Sequence, residues 1–276
     1  MESKSESKWG ASYRLVAAEK WKSKSAAMGR DVTEALVSYA NPQPGMKVLD
    51  VASGTGEPAI SIASRVRPTG HVTALDLSAE LLQIADERAQ ARKFTNFVTK
   101  QGDVHDLPFP DRSFDLVTCR FGVMFFDDCA RALREIHRVL HPGGSACFLA
   151  WGPFEQPYWS STMAIVHKHV GGPLLAPGVK MFCFAEPGSL STALKDAGFV
   201  NYSEEAHRLP WNWPGHAEEV WEYVQAVSTP FRALLDRMSD EQKEAIDREV
   251  HQAIRRCAVG DKIEFGVDVV LASGKA

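Results

Sequence analysis

An α/β fold built on a doubly wound, mostly parallel sheet is what this chain of 276 residues predicts. Three observations carry that expectation. Apolar strand-like runs alternate with helix-like segments from residue 46 to residue 151, the order of a parallel sheet covered by helices on both faces. The first such run, Val48-Leu49-Asp50-Val51, passes straight into Ala52-Ser53-Gly54-Thr55-Gly56-Glu57-Pro58-Ala59. Two glycines there bend the backbone sharply and a proline stands at a helix start, where its missing N–H is no loss. Finally, an acid stands at or just past the end of each of the next two strands, Asp76 and Asp103.

The elements follow in order. A helix is expected from Asp31, paired with Glu34 as a cap, to Ala40, and an earlier one over Ser12 to Lys22. The turn Asn41-Pro42-Gln43-Pro44-Gly45 leads into strand one, Met46 to Ala52. Pro58 to Val66 reads as a helix, His71 to Leu77 as strand two, and Ser78 as the N-cap of a helix through Ala89. Strand three spans about Asn96 to Lys100 and strand four Phe114 to Arg120. The next helix, Asp128 to Leu140, puts Ala132, Leu133, Ile136 and Val139 on one face at helical spacing. His141-Pro142-Gly143-Gly144 turns it into strand five, Ser145 to Trp151. Residues 152–186 are rich in Pro, Gly and aromatics without a clean period. Beyond them come a helix over Leu190 to Ala197, a strand over Phe199 to Leu209, helical sequence over 215–257 and a last strand from Lys262 to Leu271. Thr229-Pro230 reads as a helix start, and Ser239 with Gln242 as a capping box.

Composition narrows the function. The chain is one large domain with insertions, carrying 45% hydrophobic and 24% charged residues. A net charge of −4 gives no electrostatic case for nucleic acid. Five scattered cysteines without a C-x-x-C spacing argue against a disulfide framework or a metal cluster and fit a reducing compartment. No apolar run approaches the ~20 residues needed to span a bilayer. Residues 1–10 are polar and of low complexity, which reads as a disordered tail rather than a signal peptide. A cytoplasmic location is the expectation.

Gly54-x-Gly56-x-x-Ala59 satisfies the dinucleotide fingerprint, yet an ordinary strand–helix turn would show the same glycines. Asp76, about 20 residues on, can accept ribose hydroxyls, or merely complement the dipole of the helix that follows it. Gly102-Asp103-Val104 offers an acid to a purine amine and a backbone N–H to a ring nitrogen. A dehydrogenase would lay a pyrophosphate on the first helix N-terminus. Asp103 instead suits an adenosine without phosphate, and the apolar residues after strand four suit a sulfonium.

The series VLDVASGTGEPA, LDLS, GDVHDLPFPDRSFDLV and RALREIHRVLHPGG, with Phe121-Gly122-Val123, resembles the class I S-adenosylmethionine-dependent methyltransferases over residues 31–151. Within them it is most similar to the ubiquinone/menaquinone C-methyltransferase-like (type 11) group. The resemblance implies a seven-stranded Rossmann-like sheet whose last strand runs antiparallel. It also implies that S-adenosylmethionine is bound and S-adenosylhomocysteine released. Ala52, Ser53, Gly54 and Gly56 would pass beneath the methionine part, with Asp50 supporting its amino group. Asp76 and Leu77 would hold ribose and adenine, Gly102, Asp103 and Val104 would read the adenine edge, and Arg120 and Phe121 would line the methionine side through backbone and ring. Met124 departs from the group, whose quinone C-methyltransferases often carry Arg at that point, so quinone specificity does not transfer with the fold.

Methyl transfer from a sulfonium has a good leaving group already, so alignment and desolvation can supply about 7–11 kcal/mol of the barrier without an enzyme nucleophile. The acceptor is expected to be a small molecule, aromatic or lipophilic, held by the N-terminal helices (11–40) and by lid insertions at 152–186 and 211–257 around the core at 46–151. All seven tryptophans fall outside residues 22–150. Trp21, Trp151, Phe154, Trp159, Met181, Phe184 and Trp213 are the candidate acceptor pocket, unless they only pack the lid. For a general base the chain offers His105, His167, His169 and His207, none carried by a motif. Two other readings stay open: a same-fold protein that binds the cofactor for another reaction, and a non-catalytic partner subunit.

Overall fold

In the computed structural model, which describes residues 20–276, the strands stack in the order β3-β2-β1-β4-β5-β8-β6. Their spans are β1 Lys47–Val51, β2 His71–Asp76, β3 Phe97–Gln101, β4 Phe114–Arg120, β5 Leu140–Trp151, β6 Val200–Pro214, β7 Ala258–Val259 and β8 Lys262–Lys275. β1 to β5 are mutually parallel. β8 runs antiparallel between β5 and β6, and the two-residue β7 pairs only with β8. This is the seven-stranded, mostly parallel Rossmann-like methyltransferase sheet, with one short strand added.

β1 sits at the centre because every residue after Lys47 is buried. Its neighbours fix the register: Asp50 stands beside Ala74 of β2 and Thr118 of β4. The first helices of the fold are α1 Lys22–Met28, α2 Arg30–Ala40, α3 Ala59–Arg65, α4 Ala79–Ala91 and α5 Cys129–Val139. Ser78 caps α4 by accepting the Leu81 amide at 3.2 Å, and Asp128 caps α5 by accepting the Arg131 amide at 2.9 Å. Each cap contributes about 1 kcal/mol.

After β5 come α6 Pro157–Ser160, α7 Met163–Val170, α8 Ser189–Asp196, α9 Ala217–Val227, α10 Arg232–Leu235 and α11 Asp240–Arg255. The capping box at Ser239 and Gln242 forms as the sequence predicts. Gln156 fastens the segment after β5 to β8. It is 1% exposed, and its side-chain oxygen accepts the Asp268 amide at 2.9 Å.

Several boundaries differ from expectation, among them the last strand, which runs to Lys275 rather than ending at Leu271. Asp31 is no cap, since α2 begins one residue earlier behind Gly29 and leaves Asp31 to the first turn. Leu140 to Gly144 belong to β5 through an irregular entry with a register shift, rather than to a separate turn. Residues 211–214 extend β6, with Trp211 beside Phe265 and Trp213 beside Ile263 of β8, so they are strand and not lid. Thr229-Pro230 opens a three-residue 3-10 turn rather than a helix. The helix expected over Ser12 to Lys22 and the tail at 1–10 lie mostly or wholly outside the described residues.

Candidate functional site

The C-terminal ends of the parallel strands open into a cavity of about 1320 Å³, above the 300–1,000 Å³ usual for a site holding one ligand. Its floor is the turn after β1. Gly54 has φ +53 and open space where a side chain would project, whereas a Cβ on Gly56 (φ +104) would meet Ile60 Cδ1 at 2.7 Å. The two glycines thus differ in kind: Gly54 leaves ground free above it, and Gly56 lets the turn press onto α3.

Two non-glycine residues at the floor are also left-handed, Ala52 (φ 54) and Phe121 (φ 56), a conformation held at a cost that clusters at functional sites. Gly122 lets their loops meet, since a Cβ there would fall 2.6 Å from that of Ala52. The Phe121 ring stacks on Trp151 with centroids 4.2 Å apart.

Asp76, at the end of β2, accepts the Gly54 amide on Oδ2 at 2.8 Å and the Ser78 amide on Oδ1 at 2.9 Å. Each oxygen keeps a further lone pair. Beneath the floor, Asp50 is fully buried, with Oδ1 accepting the Thr118 hydroxyl at 2.7 Å. Its Oδ2 and the buried Ser53 hydroxyl make no hydrogen bond of good geometry, although Ser53 sits near enough to favour the ionised carboxyl. Burial pushes the Asp50 carboxyl up to about 7, although the Thr118 hydrogen bond pulls the other way.

Asp103 is half exposed. Partial burial opposes its ionisation, but hydrogen bonds from the His105 amide and ring hold its carboxyl below the usual range. His105 is spoken for at both ring nitrogens. Nδ1 lies 2.6 Å from Asp103 Oδ1, and Nε2 accepts the Asp128 amide at 3.2 Å. That pattern places the proton on Nδ1 and leaves no lone pair for a substrate.

Ala52, Ser53, Gly54, Asp76, Leu77, Gly102, Asp103, Val104, Arg120 and Phe121 all line this cavity, while Asp50 and Gly56 support it from below. Of the acceptor candidates, Trp151, Trp159 and Met181 line it. Trp21 and Trp213 are buried against each other, with Tyr223 beside them, and like Phe154 and Phe184 they do not line the cavity. Tyr158, Trp211 and Tyr223, aromatic residues of the same tryptophan-rich stretches, line it as well, and so does Phe231, which the sequence reading did not mark. His167, His169 and His207 lie away from the cavity. They face the Gly172 carbonyl (2.8 Å), Glu249 (2.6 Å) and Glu205 (3.0 Å) respectively.

The orphaned Asp50 Oδ2 and Ser53 Oγ, the open ground over Gly54 and the spare lone pairs of Asp76 together suit a ligand carrying an amino group and hydroxyls. Known proteins agree. A family profile described as a methyltransferase domain matches residues 42–153. A demethylmenaquinone methyltransferase from Listeria welshimeri is 34% identical over 168 residues, which span 57% of this chain and 71% of that one. In fold, the chain is similar to the YcgJ protein of Bacillus subtilis, with a TM-score of 0.56 and 21% identity over 88% of this chain and 97% of that one. It is also similar to the cyclase SpnF, with a TM-score of 0.53 and 20% identity over 88% and 79%. The chain belongs to the class I S-adenosylmethionine-dependent methyltransferases. Within that class it is a distant relative of the demethylmenaquinone methyltransferases, and S-adenosylmethionine is its methyl donor. Among the described residues no helix is long and apolar enough to cross a membrane.

Proposed function

We propose that this methyltransferase acts on a small aromatic or lipophilic acceptor placed between the β1 turn and the tryptophan-rich wall. The observation that carries the reading is continuity. One cavity holds the Gly54 floor, the Asp76 and Asp103 carboxylates and the aromatic face of Trp151, Tyr158, Trp159 and Trp211. The donor end carries the carboxylates and the far end is rich in aromatic rings, and the volume leaves room for a second molecule beside a nucleoside.

In this reading Asp76 takes the ribose hydroxyls with the lone pairs left free by Gly54 and Ser78. Asp103 Oδ2 takes the adenine amine, and the Val104 amide a ring nitrogen. Bound S-adenosylmethionine supplies an electrophilic methyl group and a neutral leaving group. The protein's part is alignment and exclusion of water, which the edge-to-face and stacked rings provide over a large rigid area. Met124, 3% exposed and lining the cavity, adds apolar surface. The Listeria relative's acceptor, a demethylmenaquinone by its name, has the flat lipophilic character this wall would accept. The fold alone does not specify the reaction, because the cyclase SpnF shares it.

The test is transfer of a labelled methyl group from S-adenosylmethionine to a panel of naphthoquinols, phenols, carboxylic acids and amines. Transfer confined to the aromatic members supports the proposal. Transfer only to aliphatic acids or amines, or tight cofactor binding with no transfer at all, overturns it.

A further inference from the structure

Three rings follow one another in near-parallel order along the cavity. Phe121 stacks on Trp151 with centroids 4.2 Å apart, and Trp151 faces Tyr158 at 6.4 Å with 12° between the planes. Trp211 stands edge-on to all three, at 6.2, 5.8 and 6.0 Å. Phe265, which does not line the cavity, packs on the Tyr158 ring at 5.4 Å. In the proposed arrangement Phe121 belongs to the donor end, so Tyr158, two rings further on, belongs to the acceptor end.

These rings pack well and leave their hydrogen bonding unmet. Tyr158 lines the cavity and is 3% exposed. The buried Trp211 Nε1 makes no hydrogen bond of good geometry, yet it sits near enough to the Tyr158 hydroxyl to favour the ionised form. Burial outweighs that pull, and Tyr223 opposes ionisation too, so the hydroxyl keeps its proton. An indole N–H only donates. It can serve the Tyr158 oxygen but cannot receive the Tyr158 proton. Among the described residues no acceptor takes that proton, although a buried tyrosine hydroxyl ordinarily has a partner. The neighbouring Trp159, 4.6 Å from Tyr158 by centroids, also buries its Nε1 without a hydrogen bond. The acceptor end is therefore supplied with donors.

We propose that the Tyr158 hydroxyl, backed by Trp211 Nε1, anchors a hydrogen-bond-accepting oxygen of the methyl acceptor, which makes that substrate an oxygenated aromatic compound. The proposal rests on the reading of the aromatic wall as the acceptor site. Tyr158 orients the acceptor and is not the base that deprotonates it. Its ring and its hydroxyl are separable, because phenylalanine keeps every stacking contact and loses only the donor.

Equilibrium dialysis of the full chain, saturated with S-adenosylhomocysteine, tests this with 2-acetylnaphthalene and 2-ethylnaphthalene, which differ by a carbonyl against a methylene. The ratio of ketone to hydrocarbon affinity is expected to be about three- to tenfold higher in the wild type than in Tyr158→Phe, since the comparison cancels the different hydration of the two ligands. Tyr158→Phe should bind 2-ethylnaphthalene within about twofold of the wild type. Isotope-edited infrared spectra of the bound ketone should show the carbonyl stretch at lower frequency in the wild type than in Tyr158→Phe. The same affinity ratio in both proteins overturns the proposal, as does a carbonyl stretch that the substitution leaves in place. Should Tyr158→Phe not fold, the wild-type stretch decides: a lowered frequency supports the anchor, and the frequency found in a hydrocarbon solvent overturns it. If the wild type binds neither ligand, the aromatic wall is not the acceptor site and the proposal falls with that reading, an outcome distinct from an unchanged ratio.

Discussion

The Asp76 carboxylate accepts the backbone N–H of Gly54 at 2.8 Å, tying the end of β2 to the turn that leaves β1. The bond fixes the angle at which the Gly54 turn enters the cavity, and it leaves lone pairs on both oxygens directed outward.

Removing that carboxylate should act on ligand binding more than on the fold. Asp76→Ala strands the Gly54 and Ser78 amides at a half-buried position, and a loss of about 1–2 kcal/mol in stability is expected. Affinity for S-adenosylhomocysteine should fall at least about tenfold, and Asp76→Asn should keep part of it. Unchanged calorimetric affinity in Asp76→Ala would remove Asp76 from the site.

The two turn glycines should separate in a paired experiment. Gly56→Ala drives a Cβ to 2.7 Å from Ile60 Cδ1 and 3.0 Å from Ala85 Cβ at φ +104. It should therefore destabilise by about 2 kcal/mol or more. Gly54→Ala has free space and a φ of +53, so it should fold with a penalty of about 1 kcal/mol yet lose S-adenosylhomocysteine binding, because its methyl group stands on the floor. Equal melting temperatures for the two variants would refute the distinction.

Asp50 gives a pH dependence with a definite sign. Its carboxyl is raised from 3.8 to about 7 by burial. Below pH 4 it is protonated in both folded and unfolded chains and contributes nothing. Between about 4 and 7 the unfolded chain ionises first, so stability falls as pH rises, by up to about 4 kcal/mol, and is then flat above 7. Asp50→Asn should remove this slope, and its melting temperature relative to wild type should climb between pH 5 and pH 8. Binding of S-adenosylhomocysteine to the wild type should strengthen over the same interval, as the ionised carboxylate meets an ammonium group. A wild-type binding curve flat from pH 5.5 to 7.5 would contradict that pairing.

His105 should behave as a bracket between Asp103 and the start of α5. His105→Ala frees Asp103 Oδ1 and the Asp128 amide, so cofactor affinity should weaken by about two- to fivefold. The pH–rate profile against any accepted substrate should keep its shape. A lost acidic limb would restore His105 as a base.

Much of the sheet was readable in sequence because parallel strands are continuous apolar runs closed by glycine or acid, and the helices between them carry their own caps. The β6 extension was not. Pro210 and Pro214 argue against a strand, and Trp211 and Trp213 resemble a lid, but pairing with Phe265 and Ile263 overrides that local signal. Helices α6 and α7 were hidden for a related reason. They are short, and what holds the first of them is Gln156 bridging to Asp268, 112 residues away. The residues that line the cavity at the strand ends follow chain order, so they could be named in advance. On the wall, side-chain direction decides, which is why Trp151 and Trp159 face the cavity while Trp213, equally prominent in sequence, turns inward.

The strand order has a consequence for how the molecule is made. β8 is last in the chain but lies between β5 and β6, so the sheet has a gap in its interior until residues 262–275 have left the ribosome. Until then β5 is an exposed sheet edge and β6, which pairs only with β8, is a strand without a partner, both an aggregation hazard. The segment after β5, fastened to Asp268 through Gln156, lacks that anchor until then too. Synthesis therefore delivers the parallel strands β1 to β5 first and joins β6 to them in a single late insertion, and substitutions in β8 should lower yield in cells more steeply than they lower melting temperature.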